Sequence, residues 1–423
     1  MHGVRLPRRL RALAGELWSL PGPGVITGAS DDDPSGIATY SITGAQTGYA
    51  LLWTSLLSLP LNAAVQNMCA RIGLVTGKGL AGVLRERYPR PVLMVLVALL
   101  FVANTINIGA DIAAVASGIE LLTGVPERAA IVPVGVAIAA TEIVLPYRVY
   151  ATYLKVLTLV LFAYIVDAFL AHPDWEEAVR RTFLPKLRLD AGFMTTIVAL
   201  LGTTISPYLF FWQTSEEVED LHANHEATGT EPELRRAQFD TDVGMLLAHV
   251  VFYFIVLTTA ATLFPAGIRH IETARDAAEA LRPLAGDQAT LLFAIGFIGT
   301  GLLAIPILAG SAAYAIAEVF DWREGLDEKP GQAPQFYVAI ALATVVGVGI
   351  ALSGVGAIRA LFIAAVVNGV IAPVLIAAIT AVSSDEEVLG QHRNGWLAVL
   401  LGWLTAAVMA LAAIGMVLAF LLG

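Results

Sequence analysis

Eleven stretches of this chain are long and apolar enough to cross a lipid bilayer. They lie at 18–46, 49–74, 91–122, 129–146, 150–171, 192–220, 240–264, 289–319, 335–353, 357–382 and 394–422. A spanning helix needs about 20 mostly apolar residues. No water is available at that depth to pair backbone N–H and C=O groups, so segments of this length must satisfy them internally, as helices. The chain is therefore expected to be an all-α polytopic membrane protein. The longest polar stretches, 172–191, 221–239, 265–288 and 320–334, read as loops or short surface helices, and little chain remains for a soluble domain. Composition agrees, with 57% hydrophobic and 14% charged residues against about 25% charged in soluble domains. A soluble enzyme is excluded on these grounds, and a net charge of −10 argues against a nucleic-acid partner. The single cysteine, Cys69, excludes an internal disulfide or a cysteine-based metal cluster and reads as a small core residue.

Orientation follows from Lys and Arg in the loops. Arg5, Arg8, Arg9 and Arg11 precede a stretch interrupted by Glu16, Pro21 and Pro23, with no cleavage site after a clean apolar core, so no cleavable signal is expected. Of the 25 Lys and Arg, sixteen fall on the side of the N-terminus and nine on the other. The N-terminus is expected inside and, with eleven spans, the C-terminus outside, in the plasma (inner) membrane. The acidic run Glu216, Glu217, Glu219, Asp220 falls on the inner side. It is either a solvated helix end or a negative vestibule that attracts cations.

Two spans break the rules of their class. The first reads Gly22-Pro23-Gly24-Val25-Ile26-Thr27-Gly28-Ala29-Ser30-Asp31-Asp32-Asp33-Pro34-Ser35-Gly36. Each aspartate would cost about 2.5–3.5 kcal/mol at a helix centre facing lipid. Three of them must face a watery cavity or bind something positive. Pro34 disfavours helix at Asp33 and removes a donor, and Gly36 permits a sharp turn. A broken helix with unpaired carbonyls results, tolerated at membrane depth only where it lines a cavity. The sixth span reads Gly202-Thr203-Thr204-Ile205-Ser206-Pro207-Tyr208, a second interruption, although a simple proline kink would also account for it. Breaks five spans apart are the signature of inverted repeats, here about 18–171 and 192–382, with 394–422 as an extra helix. In that architecture the substrate site lies at the midplane between the broken helices. Carbonyls and a carboxylate suit a cation there.

The run Gly22-Pro23-Gly24, Asp33-Pro34-Ser35-Gly36, Ala38-Thr39, Gly44-Ala45, Gly48-Tyr49, Leu51-Leu52-Trp53, Gly73 and Thr76-Gly77-Lys78 resembles the start of the NRAMP divalent-metal transporters. The likeness returns at Gly109-Ala110-Asp111-Ile112-Ala113 and Leu121-Leu122-Thr123-Gly124-Val125-Pro126. It implies a LeuT-type fold with 11 transmembrane helices. Asp33 takes the place of the family's aspartate ligand, and Ser30 and Thr203 stand where backbone carbonyls would contribute. The departures share one direction. The family's Asp-Pro-Gly-Asn is Asp33-Pro34-Ser35-Gly36 here, so the asparagine ligand is lost. Its Met-Pro-His is Ser206-Pro207-Tyr208, so the thioether and the proton-linked histidine are lost. Its helix 3 aspartate matches Asp111, but the glutamate three residues on is Ala114. Thioethers favour softer transition metals, whereas carboxylates, hydroxyls and carbonyls suit Mg²⁺ and Mn²⁺, and Mg²⁺ keeps part of its water shell. The pattern resembles the NRAMP-related magnesium transporter branch, which implies Mg²⁺ and Mn²⁺ as transported substrates, no bound cofactor and no proton coupling.

The candidate metal ligands are thus Asp33, Ser30, Thr203, Ser206, Asp32 and Asn368, with a helix cap at the break as the alternative for Asp33. Asp32 and Asp31 are less certain, since neighbours in a turn point different ways, and the alternative for one of them is a vestibule group or a support to the ligands. Ser206 has small-residue packing as its alternative and Asn368 an interhelical hydrogen bond. Asp111 is a proton-path residue or a hydrogen-bond partner of Asn104 or Asn107. Tyr208 reads as a packed aromatic more than a chemical group. Glu120, Glu142, Asp167 and Glu318 lie near helix ends and read as interfacial, and His249 as a packing histidine. Besides an enzyme with an intramembrane acid pair, which no nucleophile–base arrangement or metal-ligand histidine pair supports, two rivals stand beside the magnesium reading. One is a proton-coupled Mn²⁺/Fe²⁺ importer, favoured by Asp111. The other is a LeuT-fold carrier of an organic solute, disfavoured by three aspartates that would repel a carboxylate. The fold needs no oligomer, so a monomer in the bilayer is the default.

Overall fold

A computed structural model describes residues 22–144, 159–224, 229–326 and 328–422. No strand occurs among them. The first span is two helices, α1 (Pro23–Asp31) and α2 (Pro34–Thr47). Then come α3 (Trp53–Thr76), the short α4 (Leu80–Arg87), α5 (Arg90–Thr123) and α6 (Glu127–Val144). A 3₁₀ turn, Leu159–Phe162, leads into α7 (Ala163–Leu170). The surface helix α8 (Trp175–Phe183) precedes the sixth span, which is again two helices, α9 (Ala191–Thr204) and α10 (Pro207–Asn224). The remaining spans are α11 (Glu231–Thr262), α12 (Ala289–Phe320), α13 (Pro334–Ala351), α14 (Ala357–Ser383) and α15 (Trp396–Leu422). The helices alternate between two ends of the bundle, called here the Pro23 face and the Thr47 face.

Among the described residues, seven spans, the sixth counted as one, are long and apolar enough to cross a membrane. The other expected spans fall short for identifiable reasons. The first is split at its aspartates. The second starts after a bend of 107° between Pro34–Leu51 and Trp53–Thr76. The fourth carries Glu127, Arg128 and Glu142 within 18 residues. Of the fifth, residues 150–158 lie outside the described residues, as do Arg5, Arg8, Arg9, Arg11, Arg148 and Lys155. The expected loop 221–239 is mostly helix. Thr230 and Glu233 form a reciprocal capping box that starts α11 well before its apolar run.

Packing uses small residues, because lipid supplies no hydrophobic force between helices. A Cβ on Gly28 would lie 2.3 Å from Gly244 O, and one on Gly202 would lie 2.1 Å from Ala365 O. Such contacts bring α1 onto α11 and α9 onto α14 nearly backbone to backbone. α5 runs through the middle, against α12, α13 and α14. Apolar side chains such as Val338 and Val345 on α13 and Leu411 and Leu422 on α15 are exposed, as suits surfaces that meet lipid.

Burial revises several charged residues. Glu120 is exposed, but Glu142, Asp167 and Glu318 are buried rather than interfacial. Glu318 is drawn in because Gly82 N donates to it at 2.8 Å and Ser215 Oγ at 3.1 Å. Glu216 and Glu217 are buried too, so the acidic run is no solvated helix end. Gln213 Nε2 donates to Glu217 at 2.7 Å, and Glu219 accepts from Tyr314 Oη and Leu326 N. His249 is a packing residue, 2.8 Å from Met245 O and 3.2 Å from Ser58 Oγ.

Candidate metal site

The two breaks meet in the bundle interior. α1 ends at Asp31, Asp32 closes it, and Asp33 in extended conformation caps α2. Gly36 does not make the turn. It sits in the first turn of α2, where its N–H donates to Asp33 Oδ1 at 2.8 Å, and Ser35 Oγ donates to the same oxygen at 2.6 Å. Asp33 Oδ2 accepts from Asn107 Nδ2 on α5 at 3.1 Å and lies 3.4 Å from Tyr208 Oη. In the sixth span the helix stops at Thr204 and resumes at Pro207. Ser206 Oγ donates back to Gly202 O at 2.9 Å and Thr203 O at 2.8 Å, closing the broken end.

Side chains tie one break to the other. Ser35 Oγ and Thr203 Oγ1 are 2.9 Å apart. Tyr208 Oη donates to Ser30 O at 2.8 Å. Asn62 Nδ2, on α3, donates to Thr204 O at 2.8 Å and reaches Asp31 Oδ2 at 3.4 Å. Ser30, Asp31, Asp32, Asp33, Thr203, Ser206 and Tyr208 are thus brought together and buried. Asp111 joins through Asn107, whose amide lies 3.4 Å from Asp111 Oδ2. Asn104 instead donates to Leu308 O and Ser311 Oγ. Asn368 is buried on α14, beside the Gly369 that meets Val198 of α9, and its Nδ2 has no hydrogen-bond partner. Nothing brings it onto Asp33.

Tyr208 differs most from its sequence reading. It is buried as a packed aromatic would be, yet its hydroxyl satisfies a carbonyl freed by the α1 break. Sequence reasoning passed over Ser35 and Asn62 as site residues and took Asn107 only as a partner of Asp111. The signal in Asn62 and Asn107 was an amide inside an apolar helix, where it must find a partner.

The electrostatics point to a positive occupant. Among the described residues, none of Asp31, Asp32, Asp33 and Asp111 pairs with a Lys, Arg or His. Ser30 Oγ, Asp31 Oδ1, Asp32 Oδ1, Asn62 Oδ1, Asn107 Oδ1 and Asp111 Oδ1 are buried without a hydrogen-bond partner. Every one is an oxygen, and buried acceptors left open in this way call for a cation or for water. Yet among the described residues no three His, Cys, Asp or Glu side chains converge as a ready-made cage. Asp31 reaches Asn62 of α3 and Asp33 reaches Asn107 of α5, so their carboxylates go to different helices. The arrangement suits a cation held by few protein atoms with part of its water kept.

Cavities of about 590 Å³ at the Pro23 face and about 400 Å³ at the Thr47 face approach the site. The first is lined by Gly22, Val25, Glu217 and Asp240 among others, the second by Gln46, Glu272 and Arg359 among others. Neither of these linings includes a residue of either break, and Asp31, Asp32 and Asp33 are buried.

Known proteins resemble this chain over most of its length. The divalent metal cation transporter MntH of Deinococcus radiodurans is 30% identical over 313 residues, covering 71% of this chain and 68% of that protein. MntH of Agrobacterium fabrum is 26% identical over 412 residues, 92% of this chain and 84% of that one. Among solved structures, the manganese transporter of Eremococcus coleocola, in complex with an aromatic bis-isothiourea compound, superposes with a TM-score of 0.74 at 18% identity. It covers 97% of this chain and 88% of that one. Mhp1, a nucleobase-cation-symport-1 family transporter, gives 0.59 at 15% identity, with 95% and 91% covered. These structural likenesses carry the fold, which is of LeuT type. Residues 24–419, a range that includes both breaks, match the Nramp family, described as natural resistance-associated macrophage protein-like, and the chain belongs to that family.

Proposed function

We propose that the chain imports a hard divalent cation, Mg²⁺ and also Mn²⁺, by alternating access and without proton coupling. The observation that carries this reading is the donor set at the breaks. The open acceptors are carboxylate, hydroxyl and amide oxygens, and Ser206 and Tyr208 supply hydroxyls where a thioether and an imidazole would favour softer metals. In this reading Asp33 is the principal ligand, Asp32 or Asp31 a second, and the Ser30 and Thr203 carbonyls contribute once Tyr208 and Ser206 yield them. The repeats 18–171 and 192–382 rock against each other, with the N-terminus in the cytosol and the C-terminus outside. An inside-negative potential supplies about 2.3 kcal/mol per charge per 100 mV, doubled for a dication, so accumulation needs no proton gradient. Proton coupling has one point in its favour, the Asp33–Asn107–Asp111 chain. Its middle member is an amide that donates to both sides, which ties the carboxylates together without relaying a proton between them.

The test is uptake of Mg²⁺ and Mn²⁺ into proteoliposomes with internal pH recorded in parallel and Asp33→Ala as the control. Mg²⁺ uptake without acidification, lost in the variant, is the expected result. Mn²⁺ uptake with acidification and no Mg²⁺ uptake returns the chain to the proton-coupled type. Uptake of neither ion points to an organic solute.

A further inference from the structure

The first turn of α1 is held by a single side chain from another helix. Asp240 of α11 accepts hydrogen bonds from three consecutive free N–H groups at that helix start. Gly22 N donates to Oδ1 at 3.1 Å, Gly24 N to Oδ2 at 2.7 Å and Val25 N to Oδ2 at 3.2 Å. A carboxylate in this position satisfies donors that a helix N-terminus cannot pair and lies at the positive end of its dipole. The fit is tight, since a Cβ on Gly22 would lie 2.7 Å from Asp240 Oδ2 and one on Gly24 would lie 2.5 Å from Thr241 N.

Close packing of Gly24 and Gly28 on α11 accompanies these hydrogen bonds. Gly22, Pro23 and Val25 line the cavity of about 590 Å³ at the Pro23 face, with Glu217 and Asp240 across from them. Further along, Thr27 Oγ1 donates to Gln213 Oε1 of α10 at 2.5 Å. At its far end α1 stops at the non-helical Asp32 and Asp33. So α1 is a nine-residue half-helix that breaks at one end, is anchored by this carboxylate at the other, packs closely on α11 and has a cavity on its other side.

We infer that Asp240 is the latch that keeps α1 closed over the aspartates from the Pro23 face. Loss of its three hydrogen bonds lets α1 turn about Asp32–Asp33 and opens the path from the breaks into that cavity. The inference rests on the α1 and α11 geometry and holds whichever ion is carried.

The test is thiol labelling in nanodiscs, where both faces are accessible, with Cys69→Ser removing the native thiol. A probe at Thr27→Cys reports on the path beneath α1, and a probe at Thr39→Cys in α2 reports on general loosening. Both positions are fully buried in the closed state. With Asp240→Ala, the labelling rate of the Thr27→Cys probe should rise roughly tenfold or more, as loss of charge-assisted hydrogen bonds predicts, with the Thr39→Cys probe unchanged. Asp240→Asn keeps an acceptor and should give a smaller rise. It also serves as the variant of record should Asp240→Ala fail to fold. No rise at Thr27→Cys overturns the latch, and so does an equal rise at both probes, which would mean the whole bundle has loosened. Because no ion flux is read, failure here is separate from failure of the magnesium reading.

Discussion

Asn107 on α5 places one amide nitrogen 3.1 Å from Asp33 Oδ2 and 3.4 Å from Asp111 Oδ2. A single neutral side chain on the long central helix thereby orients the carboxylate at the α1–α2 break and a second carboxylate one turn along its own helix. The break is not free to reorganise alone. Its Oδ1 is held by its own helix start and its Oδ2 by α5.

Replacing Asn107 by Leu keeps the side chain's bulk and removes the donor. A hydrogen bond to a charged group contributes about 1.5–3 kcal/mol, so the apparent KM for Mg²⁺ uptake should rise by roughly one to two orders of magnitude. The maximal rate should fall less, since the ligand remains. Uptake kinetics in proteoliposomes decide it, and an unchanged KM would show that Asp33 needs no support from α5.

Ser206→Met restores a thioether at the α9–α10 break. The hydroxyl's bonds to Gly202 O and Thr203 O are lost, and a longer side chain enters a fully packed spot at a cost of about 1–3 kcal/mol. The gain is a soft donor at the second break. Cd²⁺ should become a much stronger competitor of Mg²⁺ uptake in this variant than in the parent, read as the shift in inhibitory concentration. Equal inhibition in both would place Ser206 outside the ion's reach.

Much of this was legible in the residues, for physical reasons that differ by element. Three aspartates before Pro34 could not lie in lipid, so the first break and its burial were forced. Length and apolarity located the spans, because the bilayer fixes both. The turn itself was misplaced onto Gly36, although an aspartate directly before Pro34 also reads as a helix cap, and Asp33 does cap α2 by accepting from that glycine's N–H. Asn62 and the second role of Asn107 were hidden for another reason. Their partners, Asp31 and Thr204 in one case and Asp33 in the other, are distant in sequence and come near only when helices pack. Glu318 read as interfacial because its partners, Gly82 and Ser215, lie on other helices.

Gly28 tests the packing. A Cβ there would lie 2.3 Å from Gly244 O, and the obstacle is backbone, which cannot rotate away. Overpacking of this kind costs about 1–3 kcal/mol or more. Gly28→Ala should lower the midpoint of thermal aggregation in detergent, whereas Gly349→Ala, with nothing within 4 Å of a new Cβ, should not. Equal midpoints would mean that α1 and α11 pack less closely than described.

Glu324, in the connection between α12 and α13, gives a pH dependence. Burial, with Glu318 and Glu219 close by, pushes its carboxyl up to about 10, and its Oε2 has no hydrogen-bond partner. An acid raised in the folded state binds its proton there while the unfolded chain has already released it. From about pH 4.3, the ordinary value for Glu, the unfolded state therefore binds fewer protons, and stability falls as pH rises until the folded group also ionises. The group favours folding least at high pH. Glu324→Gln, which stays neutral at every pH, should raise the thermal midpoint at pH 8 several times more than at pH 5. Midpoints measured at both pH values for parent and variant check this. A variant less stable than the parent at pH 8 would show that Glu324 is ionised in the folded protein and held by a partner of opposite charge.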